Sequence, residues 1–288
     1  ASCAVSVAFP RHRHTVVTAY FKVASKHTHS EYVEWMRNML SLQDAMVIFS
    51  SPEMHDSIIE MRSHAIEKTL IVPMTLMDSK ICGSYDDAFW ERQLQRDPEL
   101  ATKHQGISHH LFCLWLSKSW FVTEAARANP FSSEIFLWSD IGSFRNDDYN
   151  GKLWVQNFGI IPRTSILMMA ARQPREIGDW VIKEKHEVFI AGAQLAGRRD
   201  TWKHFNRAFE ATLKGYVKHG HFIGEDQAVM ETTCMHHPGL CVFVTEKMVQ
   251  GDEWFGLQDA LHRHSIESAD LVQFPQRVGH GSYEYNSV

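Results

Sequence analysis

The sequence predicts a single α/β domain built around a mostly parallel sheet. Three observations favour this fold class. The chain has 288 residues, enough for one large domain with a substantial core. In its first half, short apolar runs alternate with helix-like segments, which is typical of parallel strands covered on both faces. No internal repeat, low-complexity tract or clear linker divides the chain.

The first 73 residues contain three strand-like runs and two helix-like segments. Ser30 is placed to cap a helix near residues 31–42, and Ser51 with Pro52 marks the start of the next helix. The predicted strands are TVVTAYF at 15–21, AMVIF at 45–49 and TLIVP at 69–73.

A long helix precedes the strand that leads to the first candidate site residue. The helix is predicted at about 108–128 and ends at Asn129, because a residue before proline disfavours helical backbone. The strand EIFLW at 134–138 follows and runs into Asp140 after a single serine. Ligands of open parallel sheets collect at the carboxyl ends of strands, so Asp140 occupies a position suited to ligand binding.

The second half is less regular. One or two strands are predicted within residues 151–169. The later elements are a strand at 187–197 that opens into a glycine-bearing turn, a helix at 200–220, a helix at 225–234 that begins at two carboxylates, and a strand at 240–244.

Bulk composition excludes several classes of partner. The chain is 44% apolar and 22% charged, with a formal net charge of −5. This balance gives no general attraction to nucleic acid or to an anionic membrane surface. No apolar run approaches the roughly 18 residues of a membrane span. We therefore expect neither nucleic-acid binding nor membrane contact within this segment.

The five cysteines are too few for a disulfide framework. Because their number is odd, at least one is unpaired within the chain. Cys113 lies in the apolar run LFCLWL and is interpreted as a core thiol. Cys234 and Cys241 bracket MHHPGL and could close a small disulfide loop. The same two cysteines with His236 and His237 form the densest candidate zinc cluster, but they lack the usual spacings of zinc ligands.

Four segments place small or acidic residues at a strand end or a helix start, where they can converge on one crevice. They are Thr18-Ala19-Tyr20, the Asp140 segment WSDIGSFR, the turn AGAQLAG with Gly192 and Gln194, and Glu225-Asp226-Gln227 after Gly224.

Asp140 is a plausible ligand for a hard divalent cation, which prefers oxygen donors. Such a cation could act as a Lewis acid on a departing diphosphate, and Arg145 could assist as a fixed phosphate-binding cation. The alternative is that Asp140 caps a turn with Gly142 and that Arg145 is a surface residue.

The other three segments also allow two interpretations each. Glu225 and Asp226 can cap a helix, or one of them can act as a general base or bind sugar hydroxyls. The glycines around Gly192 can allow close approach to a ligand or form an ordinary turn. Tyr20 can stack on a nucleotide base or fill the core.

Taken together and in this order, TVVTAYF, the NPF before a strand, WSDIGSFR, AGAQLAG and GEDQAVM resemble the HtrL/YibB family over roughly residues 14–245. That family looks like a branch of the GT-A glycosyltransferases. The resemblance implies a Rossmann-like mixed, mostly parallel sheet flanked by helices, which binds a nucleotide sugar at its strand ends. Common hydrolase, metalloprotease, P-loop and dinucleotide signatures are absent from the sequence.

By that resemblance Thr18, Ala19 and Tyr20 would line the nucleotide pocket. Asp140 would occupy the place of the DxD metal motif, although no second acid lies two residues away, and His280 is the candidate for a further ligand of manganese or magnesium. The string GEDQ is similar to elements of both retaining and inverting enzymes. Asp226 is important in either mechanism and is preferred to Glu225.

The expected function is transfer of a sugar from a UDP- or GDP-sugar donor to a hydroxyl on a glycan, a lipid-linked sugar or a protein. The alternatives are a non-catalytic carbohydrate- or nucleotide-binding protein with this fold, and a zinc hydrolase. We expect one domain over 1–288, with a nucleotide-binding half at about 14–145 and an acceptor half at about 146–288. Localisation stays open: cytoplasm for a bacterial protein, Golgi or secretory lumen for a truncated eukaryotic ectodomain.

Overall fold

A computed structural model describes residues 9–171, 190–249 and 253–273 of the chain. Its centre is one sheet of eight strands in the order β3-β2-β1-β4-β6-β5-β7-β8. The strands are β1 His14–Tyr20, β2 Met46–Ser50, β3 Thr69–Pro73, β4 Ile135–Ser139, β5 Ile166–Ala170, β6 Ile190–Arg198, β7 Cys241–Thr245 and β8 Val272–Gln273.

The sheet is mixed and mostly parallel, as predicted. Strands β3, β2, β1 and β4 are parallel neighbours, and β5 is parallel to β7. Strand β6 lies between these two groups and is antiparallel to both β4 and β5, while β8 is antiparallel to β7 at the edge. The arrangement is that of a Rossmann-like α/β domain.

Helices cover both faces of the sheet. Alternate strand residues point to opposite faces, so Val17 and Phe136 join one apolar cluster and Val16 and Leu137 join the other. The helices are α1 His29–Leu40, α2 His55–Met61, α3 Lys80–Gly83, α4 Asp87–Gln95, α5 His110–Leu116, α6 Lys118–Ala128, α7 Arg199–Lys218, α8 Asp226–His236 and α9 Gly256–His262. Among the described residues, no helix combines the length and the apolar character that crossing a membrane requires.

Two helix predictions are corrected in detail. The segment predicted as one long helix divides at Ser117 into α5 and α6, because the Ser117 hydroxyl donates to the carbonyl of Cys113 and competes with the regular backbone ladder. Helix α1 is capped by Thr28 rather than Ser30, because Thr28 and Glu31 form a reciprocal capping box.

The glycine-bearing turn is also corrected, because AGAQLAG lies inside strand β6. A Cβ atom at Gly192 would lie 2.7 Å from Oδ2 of Asp226, and one at Gly197 would collide with Cδ1 of Ile166. Gly192 therefore permits close approach of helix α8 to the sheet, and Gly197 permits close packing against β5, instead of reversing the chain.

The interpretation of Cys113 as a core thiol is wrong, because it forms a disulfide with Cys82 where α3 packs on α5. The predicted loop closed by Cys234 and Cys241 is confirmed as a second disulfide. Oxidised sulfurs do not ligate zinc, so the structure contradicts the zinc cluster built on these two cysteines.

Candidate active site

The candidate site lies where the order of strands reverses. From β1 the chain proceeds to β2 and β3 on one side, and β4 then adds on the other side of β1. In an open α/β sheet such a reversal leaves a crevice at the carboxyl ends of the two strands, where ligands bind. Strand β1 ends at Tyr20, and Asp140 directly follows β4. The two predicted segments therefore meet at one crevice.

A pocket opens at this crevice, and aromatic rings form much of its wall. The aromatic lining residues are Tyr20, Phe21, Tyr32, Trp35, Trp115, Trp138, Trp254 and Phe255. The Tyr20 hydroxyl is 2.5 Å from Nδ1 of His29, and burial raises the pKa of Tyr20 to about 12. Tyr20 therefore stays neutral at physiological pH and offers a ring and a hydroxyl rather than a charge.

Arg145 lies at the exposed rim of the pocket. Its guanidinium carbon is 4.5 Å from the ring centre of Trp35 and 4.9 Å from that of Phe255. Stacking on two rings orients the guanidinium plane while its edge donors stay available to a ligand.

A buried lysine links the two acidic segments. Lys118, in the first turn of α6, places Nζ 2.8 Å from Oδ2 of Asp226 and 3.1 Å from Oδ1 of Asp140. The same ammonium donates to the carbonyl of Gly192 at 2.9 Å. The ammonium thus donates hydrogen bonds to Asp140, after β4, and to Gly192, in β6, and forms an ion pair with Asp226, in α8.

The electrostatics of this cluster keep its central cation charged. Burial disfavours the charged form of Lys118 and by itself would lower its pKa. The negative charges of Asp140 and Asp226 have the larger effect together and raise the pKa of Lys118. Asp226 is buried, whereas the Asp140 side chain is 35% exposed toward the pocket. Trp138 also donates its indole N–H to Oδ1 of Asp140 at 2.7 Å. Asp140 is therefore held rigidly, with one side open to a ligand.

The described residues do not fit a divalent cation held by the protein at Asp140. Asp140 is the only acidic side chain among the described lining residues of the pocket, and both of its oxygens already face the Lys118 ammonium. One carboxylate, with both oxygens shared with a lysine, is too small a ligand set for a dication. His280 lies outside the described residues. The manganese or magnesium site stays a prediction.

The remaining predicted residues take different places. Ala19 lines the pocket with Tyr20, whereas Thr18 is buried within β1. Gln194 is buried in β6 with its amide 3.5 Å from the Ser139 hydroxyl. Gln227, in the first turn of α8, is partly buried next to Gly192.

Glu225 does not join the pocket lining. Its carboxylate lies against His104, at 3.3 Å from Nε2, in a second cluster behind the pocket wall. Burial raises the pKa of Glu225 to about 7. The adjacent acids of GEDQ therefore have separate environments.

Lys118 and the aromatic residues of the pocket wall other than Tyr20 are not among the predicted site residues. One signal was present: Lys118 is the only basic residue in the run LFCLWLSKSWFV, and a lone lysine in an apolar helix indicates a buried ion pair. Its partners could not be identified from the sequence, because Asp226 is 108 positions away.

A family model described as "Bacterial protein of unknown function (HtrL_YibB)" matches residues 12–261. The chain belongs to the HtrL/YibB family. The matched range includes Asp140, Asp226 and Lys118, which contacts both, so the whole candidate site lies within the part of the chain that matches the family model. A search of the curated proteins found no match.

Proposed function

We propose that this HtrL/YibB protein is a glycosyltransferase of the GT-A type, which transfers a sugar from a nucleotide-diphosphate sugar to a hydroxyl acceptor. The observation that carries the proposal is the Asp140–Lys118–Asp226 cluster at the carboxyl ends of β1 and β4, next to an aromatic pocket. A fixed carboxylate beside an aromatic pocket matches a ligand that combines a base, a diphosphate and a sugar.

Different pocket residues suit different parts of such a nucleotide-sugar donor. The rings of Tyr20 and Trp35 offer π-faces to the nucleotide base. Arg145 presents donors at the rim that suit a diphosphate. Asp140 is the carboxylate exposed to the pocket, where it can accept hydrogen bonds from sugar or ribose hydroxyls.

Asp226 is assigned an electrostatic role. Sugar transfer passes through a transition state with oxocarbenium character, which nearby carboxylates stabilise. Asp226 is 1% exposed and ion-paired with Lys118, so it reduces the positive charge that Lys118 presents to the pocket and is not a freely accessible base. The acceptor hydroxyl, on a glycan, a lipid-linked sugar or a protein, then has to approach from the open side of Asp140.

A second candidate function is a non-catalytic nucleotide- or carbohydrate-binding protein with the same fold. One observation favours it: within the described residues a single carboxylate lines the pocket, and Lys118 already neutralises much of its charge. Such a pocket can bind a nucleotide without activating its departure.

Calorimetry and a donor-hydrolysis assay separate the two functions. The purified chain is titrated with UDP and GDP, each with manganese and with EDTA, and a panel of nucleotide sugars is tested for release of the nucleotide. Binding together with release supports the transferase. Binding without release across the panel supports the binding protein, and absence of both contradicts the proposed pocket.

The Asp140→Asn variant tests the central residue. Asparagine keeps the hydrogen-bond acceptor for Trp138 and removes the charge, so turnover should fall by at least ~100-fold while the unfolding temperature shifts little. The matched control is Asp148→Asn, an exposed acid eight positions later that does not line the pocket. Turnover like that of the wild type in Asp140→Asn would remove Asp140 from the mechanism.

A further inference from the structure

A second polar cluster lies behind the pocket wall, outside the site described above. Its centre is His104, which is fully buried in the segment between α4 and α5. The imidazole Nδ1 lies 2.5 Å from Oδ2 of Asp97. The opposite nitrogen, Nε2, faces Oε1 of Glu225 at 3.3 Å and Oε2 of Glu99 at 3.9 Å. One ligand atom from each of His104, Glu99 and Glu225 therefore lies within 4.8 Å of the other two.

The distance between His104 and Glu225 matches a coordination shell better than a hydrogen bond. A charge-assisted bond from an imidazole to a carboxylate is about 2.7–2.9 Å long. Ligands at ~2.1 Å from a tetrahedral metal lie roughly 3.4 Å apart. The 3.3 Å separation between His104 and Glu225 fits the second value, whereas the 3.9 Å separation between His104 and Glu99 is longer, so Glu99 has to move toward the ion when it binds. Nε2 of His104 makes no hydrogen bond of ordinary geometry within the described residues.

The surroundings of His104 also match a metal site. Metal-binding histidines usually donate their second ring N–H to a carboxylate, which fixes the ring and its tautomer. Asp97 occupies that position, and its other oxygen accepts the backbone N–H of Glu99 at 2.9 Å. Asp97 therefore orients two of the three candidate ligands.

Two lysines border the cluster and already balance part of its charge. Lys103 pairs with Oε1 of Glu99 at 2.6 Å, which leaves Oε2 directed toward His104. Lys26 lies with its ammonium 5.1 Å from the ring centre of Trp115 and interacts electrostatically with Glu225 and Glu99. A cation between the carboxylates must be held against these two ammonium groups.

We propose that His104, Glu99 and Glu225 bind a divalent transition-metal ion of the zinc type, with Asp97 as the orienting partner. One nitrogen and two carboxylate oxygens suit zinc, and a fourth position remains for water. The ion connects the segment 97–104 to the residue that precedes α8, and thereby fixes the start of the helix that carries Asp226. The proposal does not depend on the proposed function.

The test uses the full chain after EDTA treatment and dialysis. Calorimetric titration with zinc chloride should show one tight site, confirmed by metal analysis at one zinc per chain, and cobalt substitution should give the visible absorption of a tetrahedral ion. His104→Gln should weaken this site by at least ~100-fold, and Asp97→Asn, which removes no ligand, by ~10–100-fold.

The matched control is His109→Gln. His109 belongs to a more exposed histidine and aspartate group with Asp87 and His110, so its loss should leave the tight site unchanged. Should His104→Gln fail to fold, Glu99→Gln replaces it, because the Glu99 side chain is 15% exposed against 0% for His104 and glutamine keeps its size. Equal weakening by His109→Gln would locate the zinc in that other group and overturn the proposal.

Two further outcomes overturn the assignment. Unchanged zinc affinity in both His104→Gln and Asp97→Asn, or absence of any tight site in the wild type, would show that the cluster is a buried hydrogen-bond network. Tighter binding of manganese than of zinc in parallel titrations would contradict the zinc-type ligand chemistry.

Discussion

Replacing Lys118 with methionine removes the cation from the candidate active site while keeping a flexible side chain of similar length. The ammonium is 2.8 Å from Asp226 and 3.1 Å from Asp140. At an effective dielectric constant of ~20, a unit charge pair at 2.8 Å attracts by about 6 kcal/mol, part of which offsets the cost of burial. Breaking a buried pair by removing one partner costs about 3–5 kcal/mol, which is the loss expected at pH 7.

The expected loss depends on pH. Burial raises the pKa of Asp226, and Lys118 is the main influence that opposes this shift. Without Lys118 the folded-state pKa of Asp226 rises further above its unfolded value. A carboxyl group of this kind stabilises the fold at low pH and loses that contribution as pH rises through the folded-state pKa. The deficit of the variant should therefore be smaller at pH 5 than at pH 8.

Urea unfolding followed by circular dichroism at pH 5 and pH 8 measures both effects. The matched control is Lys80→Met, because Lys80 pairs with Glu210 but its side chain is 55% exposed, so the expected loss is below about 1 kcal/mol. The double variant Lys118→Met/Asp226→Asn should recover part of the stability. Equal stability losses in Lys118→Met and Lys80→Met, or a Lys118→Met deficit that grows toward pH 5, would refute the reasoning.

Three further variants test the packing and one disulfide. Gly192→Ala should lower the free energy of unfolding by about 1–3 kcal/mol, because the new methyl group would lie 2.7 Å from the Asp226 carboxylate. Gly215→Ala, in helix α7 with no atom within 4 Å of the new methyl group, should raise it by about 0.5–1 kcal/mol, and the same urea titration checks both. The double variant Cys82→Ala/Cys113→Ala opens a disulfide that spans 31 positions and should cost about 4 kcal/mol in urea unfolding; a loss below about 1 kcal/mol would show that these thiols are not paired in solution.

The parallel half of the fold could be predicted from the sequence because its signals are local. The runs that became β1, β2 and β3 are short and apolar and lie between more polar segments, so the predicted bounds agree with the structure to within one residue. Asp140 was also placed at the end of a strand by local pattern alone.

The rest of the site depends on contacts between distant segments. No local pattern shows that Lys118 will meet Asp226, because α6 and α8 are brought together by packing on the same face of the sheet. For the same reason the pairing of Cys113 with Cys82 was not visible in the sequence. The glycines of β6 predict a turn, although they lie within a strand. A sequence does not distinguish a glycine that allows tight packing from a glycine that allows a turn.

The antiparallel strand β6 has a consequence for how the chain can be shortened. It pairs with β4 on one side and β5 on the other, yet it comes after both in the chain. Any fragment that stops before residue 190 lacks β6, so one edge of β4 and one edge of β5 keep unpaired backbone N–H and C=O groups. Such exposed edges can pair with strands of other molecules. During synthesis the same two edges are exposed until β6 has emerged, so we expect self-association of the nascent chain to be greatest before that point.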